Sequence, residues 1–321
     1  MRGIEIYTPY ASRARILKGL LVRAVKAGWQ GLARSRVLIA AREPLALENL
    51  VREVPGDASP VFALSLGTPG RYRKLTVQVM GSDGEILGYI KLPLTEAATE
   101  RLRHEAEVLS RLGNFATLRP HVPKLLHAGE WADGYILFQS RGPSCPGPAQ
   151  FGAPHEKFLR TLWSVQQTES PGQTIVEKVA ARWRKAEPLL SAEWRILGKK
   201  ALDRARRELD RVMIPCGIMH GDFAPWNTRV ENGRLFVFDW ESAVWDAPTL
   251  WDVFHFHVQV AGTLSKEGGH GLPLDRSPGD RSLFLLYILS SLCQFFEEKV
   301  PRGHAGTDYR HQLLSDALSS E

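Results

Sequence analysis

The chain has 321 residues, of which 44% are hydrophobic and 24% charged, with a formal net charge of +6. That is the composition of an ordinary soluble globular protein, long enough for two lobes with separate cores. No stretch approaches the ~20 uninterrupted apolar residues that cross a bilayer, and the first residues lack the apolar run and cleavage site of a secretory signal.

The charge is unevenly placed. Residues 1–42 hold nine Lys/Arg against the single acid Glu5, a local charge of +8 that leaves −2 for the rest. The main body therefore gives no reason to expect nucleic-acid binding, and only the leading segment offers an electrostatic footprint. Cys145, Cys216 and Cys293 lie far apart, without metal-ligand or redox spacing. A reducing, cytoplasmic setting is the default expectation.

Three parts follow in chain order. Residues 1–55 form a basic N-terminal extension. From Ser12 to Trp29 it is Lys/Arg-rich, with Ile16, Leu17, Leu20, Leu21 and Val25 at helical spacing. Such a helix can cover the back of a small lobe with its apolar stripe, the expectation favoured here. It can also make peripheral contact with an anionic membrane, giving a membrane-associated protein. An Arg-rich, acid-poor leader is also the composition of a transit peptide.

Residues 56–142 read as strands and one helix. Phe62–Leu66 is apolar and ends in Gly67-Thr68-Pro69-Gly70. Leu75, Val77 and Val79 alternate with polar residues, and Gly81–Gly84 is a turn. Ile86–Leu92 is a third strand, with Leu87, Tyr89 and Lys91 expected on one face. Thr95–Leu112 is a helix and Tyr135–Gln139 a further strand. The Gly/Pro run 142–148 has the composition of an inter-lobe linker.

Residues 143–321 are expected to be mainly helical, with helices over Phe158–Gln166 and Glu193–Val212. A strand and a hairpin interrupt them between Cys216 and Trp240. Gly262–Asp280 reads as a long surface loop.

The chemistry concentrates in Ile218–Asn227 and Leu235–Glu241. Asn232-Gly233 is the preferred pair for a two-residue hairpin turn, because both positions need positive φ. Centring the hairpin there pairs Glu231 with Arg234, Val230 with Leu235, Arg229 with Phe236, Thr228 with Val237 and Asn227 with Phe238. Asn227 then emerges beside Asp239, and Asp222 lies five residues before Asn227. Two carboxylates and an amide oxygen suit Mg²⁺, which takes hard oxygen ligands and substrate phosphates. Asp239 and Asn227 can supply them, and Asp222 fits the carboxylate that accepts the proton of an attacking hydroxyl. Two surface aspartates and a turn asparagine are the plainer alternative.

A second element lies upstream. Glu105 falls on the same helix face as Leu102, Ala106, Leu109 and Leu112. A carboxylate on a buried stripe is costly unless paired. Lys91, the lone cation of the third strand, is the nearest upstream partner. A strand Lys paired with a helix Glu positions nucleotide phosphates in kinases; the alternative is that both side chains snorkel to solvent. His255 and His257, two apart on a helix, face different ways and read as ordinary packing or solvent residues. Trp226 suits either substrate stacking or the core.

Together these residues resemble the aminoglycoside phosphotransferase and choline kinase-like family, whose fold is that of eukaryotic protein kinases. The resemblance spans roughly residues 60–260. His220-Gly221-Asp222 with Asn227 looks like its catalytic loop, and Asp239-Trp240-Glu241 like its metal-binding motif. It implies an α+β, bilobal protein kinase-like fold: a small antiparallel sheet lobe with one helix, and a larger, mainly helical lobe. It implies residues 56–142 as the nucleotide-binding lobe and 143–321 as the catalytic and substrate-binding lobe. Asp222 would be the base, Asn227 and Asp239 the Mg²⁺ ligands, and Lys91 and Glu105 the nucleotide-positioning pair. His220 and Asp252 would hold the catalytic loop. Gly67 and Gly70 are the candidates for the phosphate-covering backbone, although Gly67–Arg71 is not a Gly-x-Gly-x-x-Gly loop.

The implied activity is ATP- and Mg²⁺-dependent transfer of a γ-phosphate to a hydroxyl of a small molecule, whether a sugar, a glycoconjugate or an aminoglycoside. Two other readings compete. Against a protein kinase stand Gly221, where that motif has arginine, and Asp239-Trp240-Glu241 in place of Asp-Phe-Gly. Against a non-catalytic pseudokinase that binds a nucleotide or a partner stands the full set of chemical residues.

Overall fold

The computed structural model describes residues 12–27, 46–54, 59–67, 69–131, 134–264, 279–297 and 305–319. Its contacts form two compact units: Met1–Ala149 with Trp226–Glu241, and Gln150–Pro225 with Ser242–Glu321.

In the first unit, α1 (Ser12–Lys26) and α2 (Ala46–Glu53) precede β1 (Val61–Leu66), β2 (Lys74–Met80) and β3 (Ile86–Pro93). Helix α3 (Glu96–Leu112), β4 (Leu125–Trp131) and β5 (Gly134–Ser140) follow. The strands form one antiparallel sheet in the order β1-β2-β3-β5-β4. Ile16, Leu17 and Leu20 of α1 are each more than half exposed, so that part of its apolar stripe is not buried by the described residues. Helix α2 instead supplies the cover: its Leu50 and Val51 pack with Val77, Val79, Ile90, Ile136 and Phe138.

Helix α3 starts where Thr95 caps it, its hydroxyl accepting from the Ala98 N–H at 3.1 Å. Its Leu102 and Ala106 pack on Tyr135 and Leu137 of β5. Strand β3 departs from plain alternation. Val79 pairs with Gly88 but Met80 with Ile86, which leaves Leu87 as the extra residue of a bulge. Leu87 consequently packs with the α2-side cluster and does not share a face with Tyr89 and Lys91, correcting the sequence expectation.

The run 142–148 holds no named element, but it is anchored. Pro146 bridges to Arg229, the Gly147 N–H donates to the Thr228 carbonyl at 3.1 Å, and the Val230 N–H donates to that of Cys145 at 2.9 Å.

The second unit begins with α4 (Ala153–Ser164), β6 (Gln167–Pro171), α5 (Gly172–Ala186), α6 (Ala192–Glu208) and β7 (Met213–Met219). Helix α6 ends at Glu208 with Leu209 as its C-cap, short of the expected Val212; beyond it Arg211 adopts φ 60°, outside the helical region.

The chain next forms the hairpin of β8 (Thr228–Glu231) and β9 (Arg234–Val237), which belongs to the first unit. Its register matches the pairing predicted from Asn232-Gly233, whose φ angles are 51° and 73°. The Phe238 N–H donates to the Asn227 carbonyl at 3.1 Å and extends the ladder by one residue.

The second unit resumes with β10 (Val244–Pro248), α7 (Leu250–Leu264), α8 (Asp280–Glu297) and α9 (Ala305–Ser319). Strands β6, β7 and β10 pair antiparallel in the order β10-β7-β6. The core of this unit lies around α8, buried on every side from Ser282 to Ser290, with Trp183 of α5, Ala205 of α6, Phe254 of α7 and Leu314 of α9. Of the expected loop Gly262–Asp280, residues 262–264 are helical and Asp280 opens α8; residues 265–278 lie outside the described residues.

Candidate active site

In the first unit, two strands, a helix and the segment after β9 bring five charged side chains together. Thr76 pairs with Lys91 across the β2–β3 ladder, so Lys74, two residues earlier, lies diagonal to Lys91 on the same face. The Lys91 ammonium lies 2.6 and 2.7 Å from the two carboxylate oxygens of Glu105 and 2.8 Å from Asp239 Oδ1. Lys74 reaches the same Asp239 oxygen at 2.9 Å and Glu241 at 2.6 Å. Glu105 is fully buried, and its Oε1 also accepts from the Trp240 N–H at 3.2 Å. The structure therefore joins Lys91, Glu105 and Asp239, and adds two partners, Lys74 and Glu241, that the sequence reading did not assign.

Asp239 occupies a left-handed conformation, φ 70°, which is strained for a residue with a Cβ. The two ammonium groups hold it there. Arg101 of α3 donates to the Glu241 carbonyl at 3.1 Å and stacks over Tyr72, pinning the next turn of chain. The Gly67 N–H donates to the Lys74 carbonyl at 2.9 Å, and the carbonyls of Gly67 and Gly70 accept from Arg73 at 3.2 Å each. The glycine turn is thus closed onto the segment that carries Lys74; Thr68 lies outside the described residues. Asn227 is buried at the foot of β8.

Burial by itself would lower the proton affinity of both lysines. Asp239 and Glu241 around Lys74, and Asp239 and Glu105 around Lys91, overcome that and hold both above the usual lysine range. Burial would likewise raise Asp239, but the two ammoniums hold its carboxyl well below the usual carboxylate range. Glu241 is pushed upward, first by burial and then by the neighbouring Asp239.

The second unit carries the other predicted residues. Asp252, fully buried on α7, accepts the His220 N–H at 2.7 Å and the Gly221 N–H at 3.0 Å. The Asp222 N–H in turn donates to His220 Nδ1 at 3.1 Å. Burial pushes the Asp252 carboxyl above its usual range, against the pull of His220 and Gly221. Gly221 has φ 82°, and a Cβ there would overlap the Ser242 carbonyl, so the loop requires glycine twice over. The Asp222 carboxylate, 39% exposed, meets His255 Nε2 at 3.0 Å. That contact corrects the reading of His255 as an ordinary packing or solvent residue. His255 lies three residues after Asp252 on one helix face, and comparing it with Asp252, not with His257, would have found it.

The metal expected beside Asp239 can be tested against this donor set. One oxygen from each of Glu105, Asp239 and Glu241 lies within 4.8 Å of the others. An ammonium, that of Lys74, already bridges Asp239 and Glu241. Hard oxygens gathered around a cation fit Mg²⁺.

Two outcomes follow. Lys91→Met leaves Glu105 buried without its cation and is expected to cost about 3–5 kcal/mol of stability. Lys91→Met with Glu105→Leu should recover most of it, as read by denaturant unfolding. Lys74→Met should make the protein acid-unfold at a higher pH. The depressed Asp239 contributes stability that is present above the ordinary carboxylate pKa and lost as pH falls through its folded value, and removing a cation raises that value. Circular dichroism across a pH series measures the midpoint.

Comparison with known proteins places the chain. The sequence profile of the phosphotransferase enzyme family that includes the aminoglycoside phosphotransferases matches residues 51–256. No curated protein matches in sequence. Among solved structures, a thermostable mutant of aminoglycoside phosphotransferase APH(4)-Ia superposes with a TM-score of 0.57 at 16% identity, covering 84% of this chain and 98% of that one. Aminoglycoside 2'-phosphotransferase-IIIa gives 0.52 at 13% identity, covering 84% and 96%. Choline kinase LicA from Streptococcus pneumoniae gives 0.53 at 14% identity, covering 86% and 98%. These likenesses establish the fold as α+β and protein kinase-like. The profile match, which spans well over half of the sequence, makes this chain a member of the phosphotransferase enzyme family.

Proposed function

We propose that the protein transfers the γ-phosphoryl group of ATP to a hydroxyl of a small molecule. The observation that carries this reading is the network in which one carboxylate, Asp239, is held by Lys74 and Lys91 while Lys91 is fixed by the buried Glu105. A purely structural ion pair needs one cation and one anion. Here a strand lysine is locked by a helix glutamate, and a partly exposed, strained aspartate is offered beside it. That arrangement suits a nucleotide's phosphates and their metal.

In this reading Asp239 and Asn227 hold Mg²⁺, Lys91 orients the α- and β-phosphates, and Glu105 keeps the Lys91 ammonium in place. Mg²⁺ when bound neutralises charge on the phosphate oxygens. Gly67 and Gly70 lie in the backbone turn that would cover the phosphates. Asp222 accepts the hydroxyl proton as the acceptor oxygen attacks, and His220 and Asp252 hold its loop. The rate would come from positioning and charge neutralisation, without a covalent intermediate.

The neighbours named for their ligands set the range of acceptors to try. APH(4)-Ia has been crystallised as a ternary complex with AMP-PNP and hygromycin B. Aminoglycosides, choline-like alcohols, sugars and glycoconjugates form the acceptor panel, read by the mass gain of one phosphate from ATP. Asp222→Ala is expected to lower turnover by about 10²–10⁴-fold, the usual worth of a general base, with ATP affinity largely kept. Full turnover in that variant removes Asp222 as the base. A panel without transfer, alongside an ATP-dependent rise in melting temperature, favours the non-catalytic alternative.

A further inference from the structure

The loop that carries Asp222 is tied to the interior of the helical unit by a chain of hydrogen bonds that the proposed reaction has not yet used. His255 on α7 meets Asp222 Oδ1 through Nε2 at 3.0 Å. Its other ring nitrogen, Nδ1, meets the Tyr287 hydroxyl of α8 at 3.1 Å. The Tyr287 hydroxyl is in turn hydrogen-bonded by the Arg310 side chain of α9. Arg310 is 4% exposed, donates from Nε to Ser291 Oγ at 3.0 Å, and stacks over Phe295.

The donors and acceptors favour one direction along the chain. Arginine only donates, so the Tyr287 oxygen accepts from it and its O–H is left to donate. In that direction the imidazole receives the Tyr287 O–H at Nδ1, which is then the bare ring nitrogen. Nε2 consequently carries the hydrogen and donates to the Asp222 carboxylate oxygen. Three helices therefore determine one tautomer of one histidine, and that tautomer holds one oxygen of Asp222.

Burial reinforces the assignment. Tyr287 is packed among Trp251, Phe254 and Phe284, and burial pushes its hydroxyl well above the usual tyrosine range, so it stays a donor. The His255 side chain is 13% exposed and Asp222 39%, so the chain runs outward from the core to end on the carboxylate. An ordinary packing histidine does not need a buried arginine and tyrosine to choose its tautomer.

We propose that His255 is a positioning residue for Asp222, held in its Nε2–H tautomer by Tyr287 and Arg310, so that the carboxylate presents one fixed oxygen to the acceptor hydroxyl. This rests on the reading of Asp222 as the base. No proton leaves along the chain; its task is orientation, and an error of about 1 Å at a reacting group can cost about 10²-fold in rate.

The test uses the full chain, with Mg²⁺-ATP and water as the acceptor, followed by phosphate release. Two amide variants separate the two ring nitrogens. His255→Gln can place an N–H near the Nε2 position and keep the bond to Asp222. His255→Asn reaches only the Nδ1 position and faces Tyr287. The expected result is a kcat within a few-fold of wild type for His255→Gln and about 10–100-fold lower for His255→Asn, with the KM for ATP unchanged in both. Nitrogen-15 spectra of the histidine rings provide a readout independent of turnover. They should show His255 neutral with its hydrogen on Nε2, and a changed tautomer balance in Tyr287→Phe.

Equal kcat values in the two amide variants, while Asp222→Asn abolishes release, would overturn the positioning role and leave Asp222 as the base. A ring protonated on Nδ1, or one indifferent to Tyr287→Phe, would overturn the hydrogen-bond chain itself. Release that is the same in Asp222→Asn as in wild type would instead sink the reading of Asp222.

Discussion

The first unit depends on the contact between Lys91 and Glu105. A carboxylate with no solvent exposure is tolerable only when paired, and both of its oxygens lie within 2.7 Å of one ammonium. That pair ties β3 to α3. Through Lys91 it reaches Asp239, and through Glu105 it reaches the Trp240 N–H, so the segment after β9 is anchored at two adjacent residues. Lys74 closes the network from β2. Buried ion pairs of this kind often add no more stability than packed apolar side chains would. A costly polar arrangement stands here, around a residue at φ 70°, and it is the observation on which the proposed nucleotide site rests.

The second unit applies the same logic to backbone groups. Asp252 lies in the core and takes two successive N–H groups of the His220-Gly221 turn, which fixes the loop before Asp222. His255, three residues on, takes Asp222 by its side chain. One face of α7 thus holds both the backbone and the carboxylate of the same short segment.

The sequence was most informative where a local rule has only one solution. Asn232-Gly233 set the hairpin register, and all four strand pairs occur as read. A glutamate on an apolar helical stripe announced its need for a cation, and Lys91 supplies it. The elements that escape do so for separate reasons. Helix α8 is apolar on all sides, so no amphipathic pattern marks it. Helix α2 carries Leu47, Leu50 and Val51 at helical spacing but is only eight residues long and lies within the segment read as a basic extension. Leu87 followed the strand period until a bulge reversed it. Lys74 and His255 were missed for another reason. Each acts through a neighbour on the same sheet or helix face, and neither stands out in the sequence without that neighbour.

The central claim is that Asp239 holds the divalent ion that accompanies a nucleotide. Electron paramagnetic resonance of Mn²⁺ with ATP, titrated into wild-type protein and into Asp239→Asn, tests it most directly. The account predicts a protein-bound Mn²⁺–ATP signal in the wild type that is lost in the variant, while the variant remains folded by circular dichroism. Equal binding of Mn²⁺–ATP by both proteins would contradict it.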